Sequence, residues 1–249
     1  AGQQPAVGGD HAARFLGALR VKNEAEHIRE VLTSLLPLCE RVMVLDDHST
    51  DDTAAICQSF SERVTVFPSP FTSLDEARDK NYLLQRVIEA NPEWVLWVDG
   101  DEVLERTGSE KLRRAAEAGH GVAAFSLRVA YLWNDPRQVR VDGIFGRFSR
   151  PSFFRVRGQS VDRLRFAPSG RGGNFHCGNV PQGLIGSARE SPVRLKHYGY
   201  MLREQRLAKY RWYQAHDPNN ASEDSYRHLA EVPGARWAPG PVRLAPWAE

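Results

Sequence analysis

Four short apolar runs, separated by segments with helical spacing, constrain the fold of this chain more than any other feature. The runs lie at residues 15–19, 42–45, 64–67 and 94–98. Continuous apolar runs of this length are typical of strands that are buried on both faces. This alternation of strand and helix patterns predicts an α/β fold with a doubly wound, mainly parallel sheet.

The segments between these runs carry signals for helix starts. We expect Asn23 to cap the first helix, with Glu24 in its first turn, because the helix dipole favours acids there. Ser49 and Asp52 form a start signal for a second helix. A third helix is predicted over 74–90. In such folds, ligands bind at the carboxyl ends of the strands, where polar residues follow each apolar run here.

The second half of the chain is less regular. Apolar patterning predicts strands over 122–133 and 193–200, and a helix over 201–215. A smaller, mixed region is therefore expected beside the parallel sheet.

The composition of the chain predicts four segments. Residues 1–13 are rich in Gly, Gln and Ala, and we expect a flexible leader there. The regular half, 14–105, and the less regular half, 106–231, are predicted to share one domain. Residues 232–249 are rich in Pro, Ala and Trp and are expected to form an extended C-terminal tail.

Charge and cysteine content exclude several classes of protein. The net charge of the 249-residue chain is +2, too small to indicate a nucleic-acid partner. Its apolar runs fall well short of the roughly 20 residues of a membrane-spanning helix, so no membrane span is expected. The chain has three cysteines and no CxxC pair, which favours a reducing compartment and a cytoplasmic location. Arginines are concentrated over 137–171, which fits either a solvated face or a surface for an anionic ligand.

Two groups of acids follow the apolar runs. Asp99, Asp101 and Glu102 come directly after the fourth run, and carboxylates at a buried strand end require a neutralising charge. Mg²⁺ or Mn²⁺ suits such oxygen ligands, whereas the alternative is a turn whose acids cap the next helix. Asp47 belongs to the second group, where Ser49 accounts for a helix cap and leaves Asp47 to accept a hydrogen bond from a nucleobase or a ribose.

The order and spacing of four motifs resemble the family 2 glycosyltransferases. The motifs are RVKNE at 20–24, VLDDHSTD at 44–51, KN at 80–81 and WVDGDE at 97–102. The resemblance implies a GT-A fold, which is Rossmann-like, and a metal-dependent, inverting transfer from a nucleoside-diphosphate sugar. Residues 14–105 would then form the nucleotide-sugar-binding half, and 106–231 the acceptor-side half.

The resemblance also implies roles for individual residues. Those implied for donor binding are Arg20, Lys22, Asn23, Asp47, Lys80, Asn81, Asp99 and Gly100. Asp101 matches the main metal ligand, with Asp99 facing the metal or the ribose. His197, in the later block KHYGY at 196–200, is either a further ligand of the Mg²⁺ or Mn²⁺ ion or a core histidine. Because Arg20 and Lys22 depart from the usual family residues, the donor base stays open among those of UDP, dTDP and GDP sugars.

An inverting transfer needs an acid that takes the acceptor proton. Asp142, in the arginine-rich stretch, is the favoured candidate, and Glu190 is the second because it lies closer to His197. Asp135 and Asp162 are further candidates. The acceptor and the oligomeric state have no signature in the sequence.

Two other functions compete with glycosyl transfer. A nucleotidyltransferase would carry a glycine-rich triphosphate loop after the first strand, whereas that loop here contains no glycine. A non-catalytic module that binds nucleotide sugars or glycans is the second alternative, since six tryptophans are available for stacking on sugars. Release of pyrophosphate would identify the first alternative, and donor binding without transfer or hydrolysis the second.

Overall fold

A computed structural model describes residues 14–168 and 176–248 of the chain. The predicted leader, 1–13, lies outside the described residues, as does the end of the arginine-rich stretch, at 169–171.

Strands and helices alternate through the first half of the described chain, as the apolar runs predict. The strands are β1 (Phe15–Val21), β2 (Arg41–Asp46), β3 (Val64–Pro68), β4 (Trp94–Trp97), β5 (Glu102–Leu104), β6 (Val122–Tyr131), β7 (Gln138–Arg140), β8 (Ser149–Arg155), β9 (Ser187–His197) and β10 (Leu244–Pro246). The helices are α1 (Ile28–Leu35), α2 (Thr53–Gln58), α3 (Glu76–Glu89), α4 (Gly108–Ala118) and α5 (Arg203–His216).

Eight of these strands form one sheet in the order β3-β2-β1-β4-β8-β6-β9-β5. The first four are mutually parallel. Beyond β4, the sheet becomes mixed: β8 is antiparallel to β4 and β6, β9 is parallel to β6, and β5 is antiparallel to β9. The predicted α/β fold with a mainly parallel sheet is therefore confirmed, and its mixed part continues the same sheet.

The core lies on both faces of this sheet, because side chains alternate along each strand. In β1, Phe15 and Leu19 pack into the cluster that contains α1, whereas Leu16 and Ala18 pack into the cluster that contains α3. The four-residue strand β4 is buried throughout. Burial on both faces explains why the central strands read as continuous apolar runs.

The start of the first helix differs from the prediction. Asn23 has a positive φ of 55° and does not cap a helix, since α1 begins only at Ile28 with His27 before it. Ser49 is not a helix cap either, because its hydroxyl accepts a hydrogen bond from the Asn23 amide at 2.9 Å. These two residues therefore join the loop after β1 to the loop after β2.

Two further pairings shape the edge of the sheet near the strand ends. In the register of β5 with β9, Glu102 lies opposite His197. The amide of Tyr198 donates to the carbonyl of Asp101 at 2.9 Å, so the end of β9 is held against the turn after β4. In the C-terminal segment, β10 pairs with β7 in a separate two-stranded sheet.

Candidate active site

A cleft of about 760 Å³ lies at the carboxyl ends of β1, β2 and β4. The end of β9 and helix α5 face it from the other side. Nearly all of the donor and metal residues proposed from the sequence line this cleft, namely Arg20, Lys22, Asn23, Asp47, Lys80, Asp99, Gly100, Asp101 and His197. Because they lie at the ends of β1, β2, β4 and β9 and in α3, the topology of the sheet brings them together.

One end of the cleft is formed around Asp47. Its carboxylate accepts from the Arg20 guanidinium at 2.7 Å and from the Lys22 ammonium at 3.5 Å. Arg20 is fixed in turn by the fully buried Asp79 of α3, to which its Nε donates at 3.0 Å. Arg20 therefore lies between two carboxylates, and Asp47, although buried, lines the cleft.

Lys80 and Asn81 are adjacent in α3 but have different surroundings. The buried Lys80 ammonium lies 2.8 Å from Glu76 and 2.9 Å from the side-chain oxygen of Asn179, and it lines the cleft. Asn81 instead exchanges two hydrogen bonds, of 2.8 and 2.9 Å, with the backbone of Phe166. Both ends of the Asn81 amide are therefore used to hold a loop, and Asn81 is not among the described residues that line the cleft.

The Arg150 side chain bridges two acids in the turn after β4. It lies 3.0 Å from Asp99 and also donates to Glu102, whose side chain is fully buried. Burial raises the pKa of Glu102 to about 7 even with the Arg150 charge beside it. For Asp99, desolvation is the largest influence and acts to raise the pKa, but the charges of Arg150 and Lys80 together bring the pKa below its ordinary value. Arg150 thus supplies the main positive charge on this side of the cleft.

Asp101 has basic neighbours of its own. Its Oδ2 atom accepts from the Lys209 ammonium of α5 at 3.0 Å and lies 3.8 Å from Nε2 of His197. Burial would raise the pKa of Asp101, yet His197 and Lys209 hold it well below its usual range. Burial lowers the pKa of His197 to about 4, so its ring is neutral at pH 7.

Glu24 is a cleft residue that sequence analysis assigned to a helix turn. It precedes α1 and packs against Gly100, where any Cβ would lie 2.8 Å from the Glu24 Cγ. Burial, and then the charge of Asp101, raise the pKa of Glu24 to about 8. Gly100 is therefore required by the close approach of Glu24, and the cleft contains a carboxyl group that is largely protonated at neutral pH.

The acids proposed as catalytic bases lie elsewhere. The buried Asp142 carboxylate is bound by the Arg140 guanidinium, with contacts of 2.9 to 3.2 Å, and by the Arg243 amide at 2.8 Å. Glu190 bonds to Ser149 at 3.1 Å and lines a second cavity. Neither is among the described residues that line the main cleft. In this structure Asp142 is an internal ion-pair partner, and Glu190 faces another surface.

The two further acids are also outside the cleft. Asp135 bonds to the exposed Arg137, and Asp162 is exposed in a short 3-10 helix. Neither is found among the cleft residues of the described chain.

The residues that could hold a divalent cation are Asp99, Asp101 and His197. Their two carboxylates and one neutral ring nitrogen are ligand types that Mn²⁺ and Mg²⁺ accept. The buried Nδ1 atom of His197 has no hydrogen-bond partner within the described ranges, so no hydrogen bond fixes which ring nitrogen carries the proton. Over 14–168 and 176–248, no group of three or more His, Cys, Asp or Glu side chains is already arranged as a metal site. Mg²⁺ at nucleotide sites often takes one or two carboxylates and completes its shell with phosphate oxygens, which this set would permit.

Aromatic side chains also line the cleft. Its aromatic lining is formed by Tyr131, Phe148, Tyr200, Trp212 and Tyr213. The Trp212 ring is 42% exposed and stacks on His216, also of α5, with centroids 5.1 Å apart. These rings add flat apolar surface beside the charged groups, since the Tyr131 and Tyr200 rings lie 4.8 and 4.6 Å from the His197 ring.

Sequence comparison decides the family. The profile described as Glycosyl transferase family 2 matches residues 19–173. The chain belongs to glycosyltransferase family 2. This confirms the membership that the four motifs predict, and with it the expectation of a glycosyltransferase at the level of the family.

Curated relatives extend the similarity along the chain. An uncharacterized protein of Mycobacterium tuberculosis is 25% identical over 218 residues, which are 83% of this chain and 51% of that protein. An uncharacterized glycosyltransferase of Rickettsia felis is 24% identical over 131 residues, covering 52% of this chain and 44% of the relative. The chain spans about half the length of these relatives.

Solved structures show the fold. S. aureus TarS 1–349 in complex with UDP superposes with a TM-score of 0.50 and 18% identity, covering 88% of this chain and 70% of TarS 1–349. At this identity the similarity concerns the fold alone, which is the GT-A fold that the resemblance implies.

Three further features of the site have no clear signal in the sequence. Lys209 reaches Asp101 across 108 residues of chain, Asn179 reaches Lys80 across 99, and Gly199 leaves space beside Asp101. The positions of Lys209 and Gly199 depend on how α5 and the turn after β9 pack against the parallel half.

Within the described parts of the chain, every helix is too short or too polar to span a membrane.

Proposed function

We propose that this family 2 glycosyltransferase chain transfers a sugar from a nucleoside-diphosphate sugar to an acceptor nucleophile. One observation carries the proposal. Polar groups from the ends of β1, β2, β4 and β9 meet in a single cleft, whose acids are matched by basic side chains. Such a site suits a ligand that carries both N–H or O–H groups for hydrogen bonding and a diphosphate group.

The nucleoside is assigned to the Asp47 end of the cleft. Asp47 is held by Arg20 and Lys22, which orient its carboxylate to accept a hydrogen bond from a base N–H or a ribose hydroxyl. UDP is the first nucleotide to test, because the similar TarS structure contains UDP. The dTDP and GDP sugars are the alternatives for this position.

The diphosphate is assigned to the space between Lys80, Arg150 and the Asp99 to Asp101 turn. Lys80 and Arg150 both line the cleft, and their charges hold the pKa of Asp99 below the usual value against desolvation. Fixed positive groups of this kind stabilise charge that develops on a leaving group.

Asp101, Asp99 and His197 are proposed to hold Mn²⁺ or Mg²⁺. A bound divalent cation supplies additional positive charge that stabilises the departing diphosphate. The acceptor is proposed to enter along the aromatic side chains of the cleft and to displace the nucleotide directly with inversion at the anomeric carbon.

A donor panel tests the proposal. UDP-glucose, UDP-N-acetylglucosamine, dTDP-glucose and GDP-mannose are incubated with the protein and Mn²⁺, and the released nucleoside diphosphate is measured. We expect release from donors of one base, with loss of about a hundredfold or more in Asp101→Asn, since one buried charged group is removed from the site. Unchanged release in Asp101→Asn, or no release from any donor, would refute the assignment.

A further inference from the structure

Helix α5 places a positive charge directly on the acid proposed as the main metal ligand. The Lys209 ammonium donates to Oδ2 of Asp101 at 3.0 Å, and this same oxygen lies 3.8 Å from Nε2 of His197. Lys209 therefore occupies the side of Asp101 on which a cation shared with His197 would have to bind.

The surroundings of this ion pair provide room for it. Gly199 lies against both partners, and any Cβ at that position would collide with Oδ2 of Asp101 and with Nζ of Lys209. The ring of Tyr200 lies under the ammonium, with 5.3 Å between Nζ and the ring centroid. The turn after β9 thus leaves room for the contact between Lys209 and Asp101.

Lys209 is held less firmly than the arginine at the neighbouring acid. Arg150 bonds to two acids, Asp99 and Glu102, and its side chain is 23% exposed. Lys209 bonds to one acid, Asp101, and its side chain is 36% exposed. Because a lysine ammonium is a point charge on a flexible stem, it can leave one anion for another nearby.

We propose that Lys209 is an exchangeable counterion, which neutralises Asp101 in the ligand-free protein and moves to the donor diphosphate when a divalent cation binds to Asp101. The inference rests on the proposed function and adds a positioning residue to it. Lys209 competes with the cation for Asp101, but it gains a new partner once the diphosphate is present.

This exchange couples the binding of the cation to that of the nucleotide. The cation alone must displace Lys209 and leave its charge without a partner, so it binds weakly. With the nucleotide present, the displaced ammonium pairs with phosphate, so each ligand strengthens the binding of the other. Replacing Lys209 must then have opposite effects on the two binding steps.

Titrations that measure binding rather than turnover test this inference. Free Mn²⁺ is followed by electron paramagnetic resonance without nucleotide, and UDP binding is followed by calorimetry at saturating Mn²⁺. In Lys209→Met, we expect Mn²⁺ alone to bind about tenfold more tightly and UDP about tenfold more weakly, the effect of one charged hydrogen bond. Lys209→Arg keeps the positive charge beside Asp101, so Mn²⁺ alone should bind no more tightly than it does to the wild type.

Two further variants separate the causes. Arg211→Met removes a positive charge from an exposed position of the same helix and should change neither titration. Asp101→Asn should abolish Mn²⁺ binding, and if it does not, the metal site of the proposed function is wrong as well. If Asp101→Asn loses Mn²⁺ while Lys209→Met binds Mn²⁺ like the wild type, the exchange alone is refuted.

Discussion

Replacing Arg150 with methionine tests how strongly this side chain holds the acids of the cleft. Arg150 donates to the fully buried Glu102 and lies 3.0 Å from Asp99, which is partly exposed. Methionine keeps much of the apolar stem and removes only the guanidinium. The buried Glu102 is then left without its cation, whereas Asp99 can still be hydrated.

The magnitude follows from the burial of Glu102. Breaking a buried ion pair by removing one partner costs about 3 to 5 kcal/mol of stability. Because only one of the two acids is fully buried, we expect about 3 kcal/mol at pH 9. This loss exceeds the effect of an exposed ion pair severalfold.

The loss must depend on pH in one direction. Burial raises the pKa of Glu102 from 4.5 to about 7 with Arg150 present, and removing Arg150 raises it further. A carboxyl whose folded-state pKa is raised destabilises the protein as the pH rises through that pKa. Below pH 7 both proteins bury a neutral Glu102, so the ionic part of the difference disappears and about 1 kcal/mol remains at pH 6.

Urea unfolding at pH 6 and pH 9 measures both values. Arg155 provides a matched control on the same strand, since it is 38% exposed and lies 3.6 Å from Glu93. Arg155→Met should lose no more than about 1 kcal/mol at either pH. A loss in Arg150→Met that is equal at both pH values, or no larger than that in Arg155→Met, would refute the account of this acid pair.

Three further predictions concern single residues. Gly199→Ala should weaken UDP binding about tenfold or more with the fold retained, because a Cβ there collides with Asp101; calorimetry and circular dichroism check this. Asn81→Ala should lower stability by about 2 kcal/mol in urea unfolding, since two hydrogen bonds to the Phe166 backbone are lost, yet UDP affinity should stay within about twofold. Burial lowers the pKa of His228 to about 4, so the folded protein loses stability relative to the unfolded chain as the pH falls from 6.5 towards 4. The melting temperature of His228→Gln should therefore fall less than that of the wild type over this interval. An equal fall in both proteins would contradict the prediction.

The parallel half of the fold is predictable because its strands are buried on both faces. Trp94 to Trp97 form a continuous apolar run for that reason, and the acids after them mark the strand end. Helix starts are predicted less well. Asn23 and Ser49 have the residue types of caps, but here they bond to each other across two loops.

The mixed half is harder to predict because its short elements depend on distant partners. The three-residue strand β5 exists through its pairing with β9. Helix α4 is rich in charge, and its one large buried side chain is Leu112, so its apolar face is small. The partners of Asp101 are likewise absent from local spacing, because Lys209 is brought to it by the packing of α5.

The acids predicted as catalytic bases show the same limit of prediction from sequence. Arg140 and Asp142 are two residues apart, which places their side chains on one side of an extended chain. The ion pair between Arg140 and Asp142 can therefore be predicted from their spacing. The set of residues that line the cleft cannot be predicted in this way. Asp142 is favoured by sequence position alone, and its contacts place it in a structural role.

The most direct test of the proposed donor site is a calorimetric titration of UDP in Mn²⁺ and in EDTA, with the wild type and Asp101→Asn. The account predicts that UDP binds in Mn²⁺ and that EDTA weakens its affinity about tenfold or more in the wild type. In Asp101→Asn, affinity should be low and the same in both conditions. UDP affinity that is equal in wild type and Asp101→Asn, with Mn²⁺ present, would contradict the assignment of the diphosphate to this site.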